Sequence, residues 1–286
     1  MPVSFQDVTY IYHRKSPLEF EALHKICLEI EEGSFTALIG RTGCGKSTLV
    51  QHLNALLNPT FGSVVIDEFV NDASKKKRTK RLKPLRERVG LVFQFPEYQL
   101  FEDTVEKDVA FGPKNFGKKP EEALEAAHKA LEAVGLDESF YQRSPFELSG
   151  GEKRRVAIAG VLAYAPKYLI VDEPTAGLDP EGALEMMGLF QKIHEQGTTV
   201  LLVTHDMNLV LAYCDKAIVM ADGRIEKIIA PKELFQEDIE SYSLETPLLY
   251  RFARDLNAKG MHLDFSSIKD LSSLAKQIKA QRGKKE

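Results

Sequence analysis

The sequence predicts an α/β fold built on a mostly parallel sheet, with a helical extension at its C-terminal end. Three observations predict it. Tyr168-Leu169-Ile170-Val171 and Thr198 to Val203 are unbroken apolar and β-branched runs, as expected of strands covered on both faces. A third run, Thr36-Ala37-Leu38-Ile39, passes through a glycine-rich loop into Thr48 to Leu53, a strand, loop and helix in succession. Beyond Pro231 strand signals fade, and Ile268, Leu271, Leu274, Ala275 and Ile278 recur at helical spacing.

Taken in order, Val3, Phe5 and Val8 alternate within residues 3–10 and predict a short strand. Leu23 to Ile30 predicts another, closed by the turn Glu31-Glu32-Gly33. The helix after the glycine-rich loop is expected to run on through Asn58 and stop at Pro59. Gly62 to Asp67 and Val89 to Gln94 read as strands. Helices are expected over 104–111 and 120–134, the second ended by Gly135, and over Arg155 to Ala165, ended by Pro166. Ala183 to His194 is helical and stops at Gly197. Asp222-Gly223 between two apolar runs is a hairpin signal. No internal repeat appears.

Composition narrows the class. At 286 residues the chain can bury a substantial core. A net charge of −4 gives no global pull toward nucleic acid. The basic run Lys75 to Arg81 lacks interleaved aromatics and reads as a solvated loop rather than an anion-binding patch. No apolar stretch approaches the ~18 residues of a membrane span, and the first residues show no secretion signal. Cys27, Cys44 and Cys214 are scattered, which suits a reducing compartment. The chain is therefore expected in the cytosol, with any membrane contact made through a partner. The tail Arg282 to Glu286 is expected to fray.

The loop Gly40-Arg41-Thr42-Gly43-Cys44-Gly45-Lys46-Ser47, followed by Thr48, fits G-x-x-x-x-G-K-[ST]. Its glycines let successive N–H groups point inward as an anion nest, and the helix that follows adds its positive end. Lys46 is placed to reach β- and γ-phosphates, and the Ser47 hydroxyl to ligate Mg²⁺. Cys44 is either oxidisable or an inert small side chain.

Four further motifs narrow the chemistry. Leu169-Ile170-Val171-Asp172-Glu173 is an apolar strand ending in two carboxylates. Asp172 is expected to hold Mg²⁺ through water, and Glu173 to polarise the attacking water; a helix N-cap pair is the competing reading. His205 follows a buried strand and could contact the γ-phosphate or hold Glu173; a structural histidine is the alternative. Gln94 also ends an apolar strand and could ligate Mg²⁺, unless it is an ordinary loop residue. Leu148-Ser149-Gly150-Gly151-Glu152 makes a second anion nest at a helix start.

Together with Ala176-Gly177-Leu178-Asp179, these motifs resemble the ATP-binding-cassette ATPases, a class of P-loop NTPase, over residues 1 to about 230. The resemblance implies a core sheet with an antiparallel β subdomain and a helical subdomain over about 95–165. Residues 1–230 would be the nucleotide-binding domain and 231–286 an extension used in dimerisation. It implies two cassettes sandwiching two ATP molecules head to tail. Gly40 to Thr48, Gln94, Asp172, Glu173 and His205 would serve the chain's own ATP; Ser149, Gly150 and Gly151 would serve the partner's, with Asp179 crossing the interface. Tyr12 would stack on adenine, with Tyr10 a rival. Glu152 departs from the family's usual glutamine, which puts a ribose contact in doubt, and Gly160 stands where most relatives carry arginine.

Phe93 to Phe101, Phe111 to Gly117, Ser144 to Leu148 and Val156 to Ala163 resemble the second, A-prime type of ATPase subunit in energy-coupling-factor transporters. That resemblance implies a peripheral protein on the cytoplasmic face of the membrane. Its partners would be a second, unlike cassette, a transmembrane coupling subunit and an exchangeable substrate-binding subunit, which import vitamins or trace metals. No nucleic acid is expected. A cobalt or nickel importer is the nearer alternative, and a soluble cassette acting on DNA or ribosomes the more distant one. Phe95 to Phe101 is expected to dock a helix of the membrane subunit, unless those side chains pack inside. The Ile268–Ile278 face is expected either to meet its counterpart in a second cassette or to fold back on its own domain.

Overall fold

The computed structural model describes residues 2–73, 82–268 and 270–282. The basic run Lys75–Arg81 and the tail Gly283–Glu286 lie outside them. The chain opens with β1 (Val3–Tyr12), β2 (Phe20–Ile30) and β3 (Phe35–Ile39), then α1 (Lys46–Leu53), β4 (Phe61–Ile66) and β5 (Phe69–Asp72). It continues through α2 (Leu82–Arg88) and β6 (Val89–Val92) into the helices α3 (Val105–Phe116), α4 (Pro120–Ala133), α5 (Glu138–Tyr141) and α6 (Gly150–Leu162). Then come β7 (Tyr168–Asp172), α7 (Pro180–Glu195), β8 (Thr199–Val203), α8 (Met207–Tyr213), β9 (Lys216–Ala221) and β10 (Arg224–Ile229). The extension holds α9 (Pro231–Leu234), α10 (Leu248–Ala258) and α11 (Leu271–Arg282).

The strands form two sheets. β2-β1-β4-β5 is antiparallel throughout. The larger sheet runs β10-β9-β3-β8-β7-β6, parallel except for the β9–β10 hairpin. β3 and β8 are buried at every position, which matches their unbroken apolar runs. One core lies between the two sheets, around Val8, Leu23, Leu38, Leu49 and Ile170. A second joins the large sheet to the helical region, through Val105, Val109, Leu131, Val156 and Phe190. A third joins β3 and β9 to the extension, through Ile39, Val219, Phe235, Tyr250 and Ile268. The extension thus shares a core with the sheet that carries the site.

Several boundaries differ from the sequence reading. The first helix ends at Leu53, not Asn58. Asn54 accepts the Leu56 N–H at 3.3 Å on its side chain, and Ala55 turns left-handed at φ 51°, which breaks the helix early. α6 starts five residues before Arg155, because Ser149 caps it. α8 and α10 carried no recognised signal; α8 is capped by Asp206, whose carboxylate accepts the Asn208 N–H at 2.8 Å. At the C-terminus Ile268 precedes the helix, which begins at Leu271. Ile268 and Leu274 are buried in the third core while Leu271 is 74% exposed, so that face folds back on its own domain.

Candidate active site

β3, β8 and β7 lie side by side and parallel, so their following loops leave one edge of the sheet. β3 delivers the glycine loop, β7 delivers Asp172 and Glu173, and β8 delivers Thr204 and His205. β6, next to β7, delivers Gln94. A cleft of about 390 Å³ opens at this edge, lined by Tyr12, Phe20, Ala22, Thr42, Gly43, Gly45, Lys46, Ser47, Thr48, Gln94, Asp172, Glu173 and His205.

The loop needs its glycines. Gly40, Gly43 and Gly45 have φ of 149°, 83° and 106°. A Cβ would stand 2.2 Å from the Met220 carbonyl oxygen at Gly40 and 2.7 Å from that of Ala22 at Gly45. Lys46 Nζ donates to the carbonyls of Gly40 at 2.7 Å and Arg41 at 3.0 Å, which holds the ammonium over the loop. Arg41 pairs with Asp222 outside the cleft. Cys44 is buried beneath the loop, which fits the inert reading of its side chain.

The two carboxylates have different surroundings. Asp172 is pushed up to about 6 by burial and by the charge of Glu173, against the opposing pull of Lys46. Glu173 takes a left-handed backbone at φ 48°, unusual outside glycine. Its N–H donates to the Val203 carbonyl at 2.9 Å, which pins the strained residue to β8. Its Oε1 lies 2.8 Å from His205 Nδ1, and Thr204 Oγ1 donates to Oε2 at 3.5 Å. A carboxylate held by an imidazole at the rim of an anion nest is placed for general-base work.

The donors also suit a divalent cation. Ser47, Gln94 and Asp172 supply oxygens of the kind Mg²⁺ takes, and a buried carboxyl short of positive partners would gain from one. Among the described residues no group of three or more His, Cys, Asp and Glu could hold a metal.

Ser149, Gly150 and Gly151 are exposed and line no part of the cleft. Ser149 Oγ accepts the Glu152 N–H at 3.4 Å, and the Glu152 carboxylate accepts the Ser149 N–H at 2.8 Å. That reciprocal cap gives the Glu152 side chain a role at the start of its own helix, one that a glutamine could also fill. A Cβ on Gly150 or Gly151 would meet nothing within 4 Å, so the chain's own packing does not demand glycine there. Asp179 caps α7 by accepting the Gly182 N–H at 2.9 Å.

The structure separates the rival aromatics. Tyr12 lines the cleft, its hydroxyl 3.2 Å from Thr48 Oγ1. Tyr10 instead packs edge-on against buried His52, ring centroids 5.0 Å apart. Phe20 and Ala22 were missed by sequence reasoning; Phe20 pairs with Tyr12 across β1 and β2, a register that no local motif announces. Of the segment after Gln94, Tyr98 is 85% exposed, and Phe95 and Phe101 are exposed as well. Leu100 is buried against the helical region, which removes it from the expected docking surface.

A family model described as "ABC transporter" matches residues 23–176. The chain is 52% identical over 267 residues to the energy-coupling factor transporter ATP-binding protein EcfA2 of Enterococcus faecalis, covering 92% of each chain. It is 48% identical over 279 residues to the protein of the same name in Spiroplasma kunkelii, covering 96% of this chain and 91% of that one. Among solved structures it resembles cbiO1 from Clostridium perfringens, part of the ABC transporter complex cbiONQ, with 38% identity and a TM-score of 0.73 over 88% of this chain and 98% of that one. It also resembles the dimeric cassette MJ0796 in a post-hydrolysis state bound to ADP and phosphate, with 32% identity and a TM-score of 0.71 over 80% and 98%.

Proposed function

The chain belongs to the ABC transporter family, and on that footing we infer how it works as the ATP-hydrolysing subunit of an energy-coupling-factor importer. The observation that carries the catalytic reading is Glu173, pinned at φ 48° with its carboxylate between His205 and Thr204 at the lip of the phosphate loop. The loop's N–H groups and Lys46 hold the phosphates, and Tyr12 offers a ring to the base. Glu173 accepts a proton from the water that attacks the γ-phosphate in line, and His205 keeps that carboxylate aimed. When Mg²⁺ is bound, Ser47, Gln94 and, through water, Asp172 would hold it, and it would neutralise charge on the phosphates.

The remaining parts of the reading concern assembly. The exposed Ser149–Gly151 nest lies away from the chain's own cleft, which supports its use on ATP held by a second cassette. We place that cassette, an unlike one, together with a transmembrane coupling subunit and an exchangeable subunit that binds a vitamin or trace metal. No helix among the described residues is long and apolar enough to cross a membrane. The chain would sit peripherally on the cytoplasmic face, touching the coupling subunit through Phe95, Tyr98 and Phe101. Residues 1–230 would be the nucleotide-binding domain. In the extension, 231–286, Leu248, Phe252 and Leu271 are exposed large apolar residues among those described, and we assign them to the contact with the partner cassette.

The test is reconstitution of the chain with its membrane subunits in ATP-loaded vesicles. ATP-dependent uptake of labelled vitamin that disappears with Lys46→Ala is the expected result. Uptake that proceeds equally without this chain would contradict the reading.

A further inference from the structure

Arg154 sits one turn into α6, beyond the Ser149–Gly151 nest, and no part of the site described above uses it. Its side chain is 5% exposed, and Glu97 opposite is 16% exposed. Nε donates to Glu97 Oε2 at 3.2 Å and Nη2 to Glu97 Oε1 at 3.1 Å, a two-pronged pair. Nη1 donates to the Ala176 carbonyl at 2.8 Å and the Pro174 carbonyl at 3.4 Å. The guanidinium also stands 5.9 Å from the centroid of the Phe95 ring.

The groups it joins are far apart in sequence. Glu97 belongs to the short 3₁₀ turn Pro96–Gln99 that follows Gln94 and carries exposed Tyr98. Pro174 and Ala176 belong to the turn that follows Glu173, where the Ala176 N–H closes onto the Glu173 carbonyl at 3.1 Å. A non-glycine residue at φ 48° costs energy and persists only where its surroundings fix it. The Arg154 bonds reach the residues that follow it, Pro174 and Ala176. Burying a guanidinium among one carboxylate and two carbonyls is a poor way to gain stability alone. It is a good way to lock two segments in one relative position, because the fork is rigid and spends its donors in fixed directions.

We propose that Arg154 is a positioning residue that ties the turn after Gln94 to the turn after Glu173, so that a subunit docked on the first sets the place of the carboxylate on the second. The proposal rests on the catalytic and docking roles given above. A displacement of the Pro96–Gln99 turn drags Arg154, and with it the Pro174 and Ala176 carbonyls of the turn whose Ala176 N–H closes onto the Glu173 carbonyl.

The test uses the whole transporter complex in vesicles, with rates expressed per assembled complex. Arg154→Gln is expected to lower kcat for ATP about tenfold while KM for ATP stays within about twofold, and to lower cargo moved per ATP hydrolysed. Arg154→Lys is expected not to restore either, since one ammonium cannot span Glu97 and both carbonyls. Glu97→Gln, which keeps one acceptor and the shape, is expected to lower cargo per ATP more than it lowers kcat. A role in stability alone would reduce the amount of complex and leave kcat and the transport ratio untouched. Parent-like kcat and transport ratio in Arg154→Gln would overturn the proposal; if that variant does not assemble, a parent-like transport ratio in Glu97→Gln overturns it instead. Glu173→Gln runs alongside: retained hydrolysis there would sink the catalytic reading itself, and is distinguishable from either result at Arg154.

Discussion

His52 makes the folded chain sensitive to mild acid. It lies in α1 directly behind the phosphate loop, fully buried. Its Nδ1 is 2.7 Å from the Thr48 carbonyl, so Nδ1 carries the proton and Nε2 is left bare. That Nε2 is buried without a hydrogen-bond partner, with Tyr10 edge-on beside the ring. Burial lowers the imidazole from 6.5 to about 4, against the hydrogen bond to Thr48, which favours the charged form. Because the folded value lies below the unfolded one, the unfolded chain binds more protons between pH 6.5 and 4. Stability from this residue is complete above pH 6.5 and falls as pH drops toward 4. The gap corresponds to about 3 kcal/mol in full, of which about 2 kcal/mol is gone by about pH 5. His52→Leu removes the titration and one hydrogen bond worth about 1 kcal/mol, while keeping an apolar side chain in place. Urea unfolding at pH 7.5 and pH 5, followed by far-ultraviolet circular dichroism since the chain has no tryptophan, measures it. The variant should lose about 2 kcal/mol less than the parent between the two conditions. Equal losses in parent and variant would refute the argument.

Other outcomes follow from the same geometry. Lys46→Ala should weaken binding of a non-hydrolysable ATP analogue by about 1.5–3 kcal/mol for each charge-assisted bond lost, read by calorimetry; unchanged affinity would mean the loop does not hold phosphate as described. Tyr98→Glu should spare folding, since the ring is 85% exposed, and uncouple uptake from ATP hydrolysis; normal uptake would place the docking surface elsewhere. Burial raises the Asp67 carboxyl, but hydrogen bonds from Lys167, Arg88 and Tyr168 outweigh it and hold it at about 2, against an ordinary 3.8. Its charge-dependent contribution is complete above pH 3.8 and is lost as pH falls toward 2, so the cost of Asp67→Asn, read by urea unfolding, should be larger at neutral pH than at the acid end of that window; an equal cost at both would refute it.

The parts of the site that were legible in the sequence are those whose chemistry lies within a few residues. The glycine loop announces itself because a backbone that passes 2.2 Å from where a Gly40 Cβ would meet Met220 admits no other residue. Asp172, Glu173 and His205 were readable because buried parallel strands deliver their last residues to one edge. Phe20 was not readable, since its place beside Tyr12 depends on the register of β1 against β2. Arg154 and Glu97 were not readable either, being 57 residues apart and joined only when α6 packs against the turn after Gln94. The same limit applied at the C-terminus: an apolar stripe shows that a face is covered, and only the fold showed that its own domain covers Ile268 and Leu274. α10 was legible but not read: Leu249, Tyr250, Ala253 and Leu256 recur at helical spacing and all pack on the third core.

The central claim is that Glu173 is the base for water attack in a cleft whose other residues bind the nucleotide. The most direct measurement is single-turnover hydrolysis of ATP by the assembled complex carrying Glu173→Gln, with nucleotide binding measured on the same sample. The account predicts binding close to that of the parent and hydrolysis slower by about a hundredfold or more. Hydrolysis at the parent rate with binding intact would contradict it.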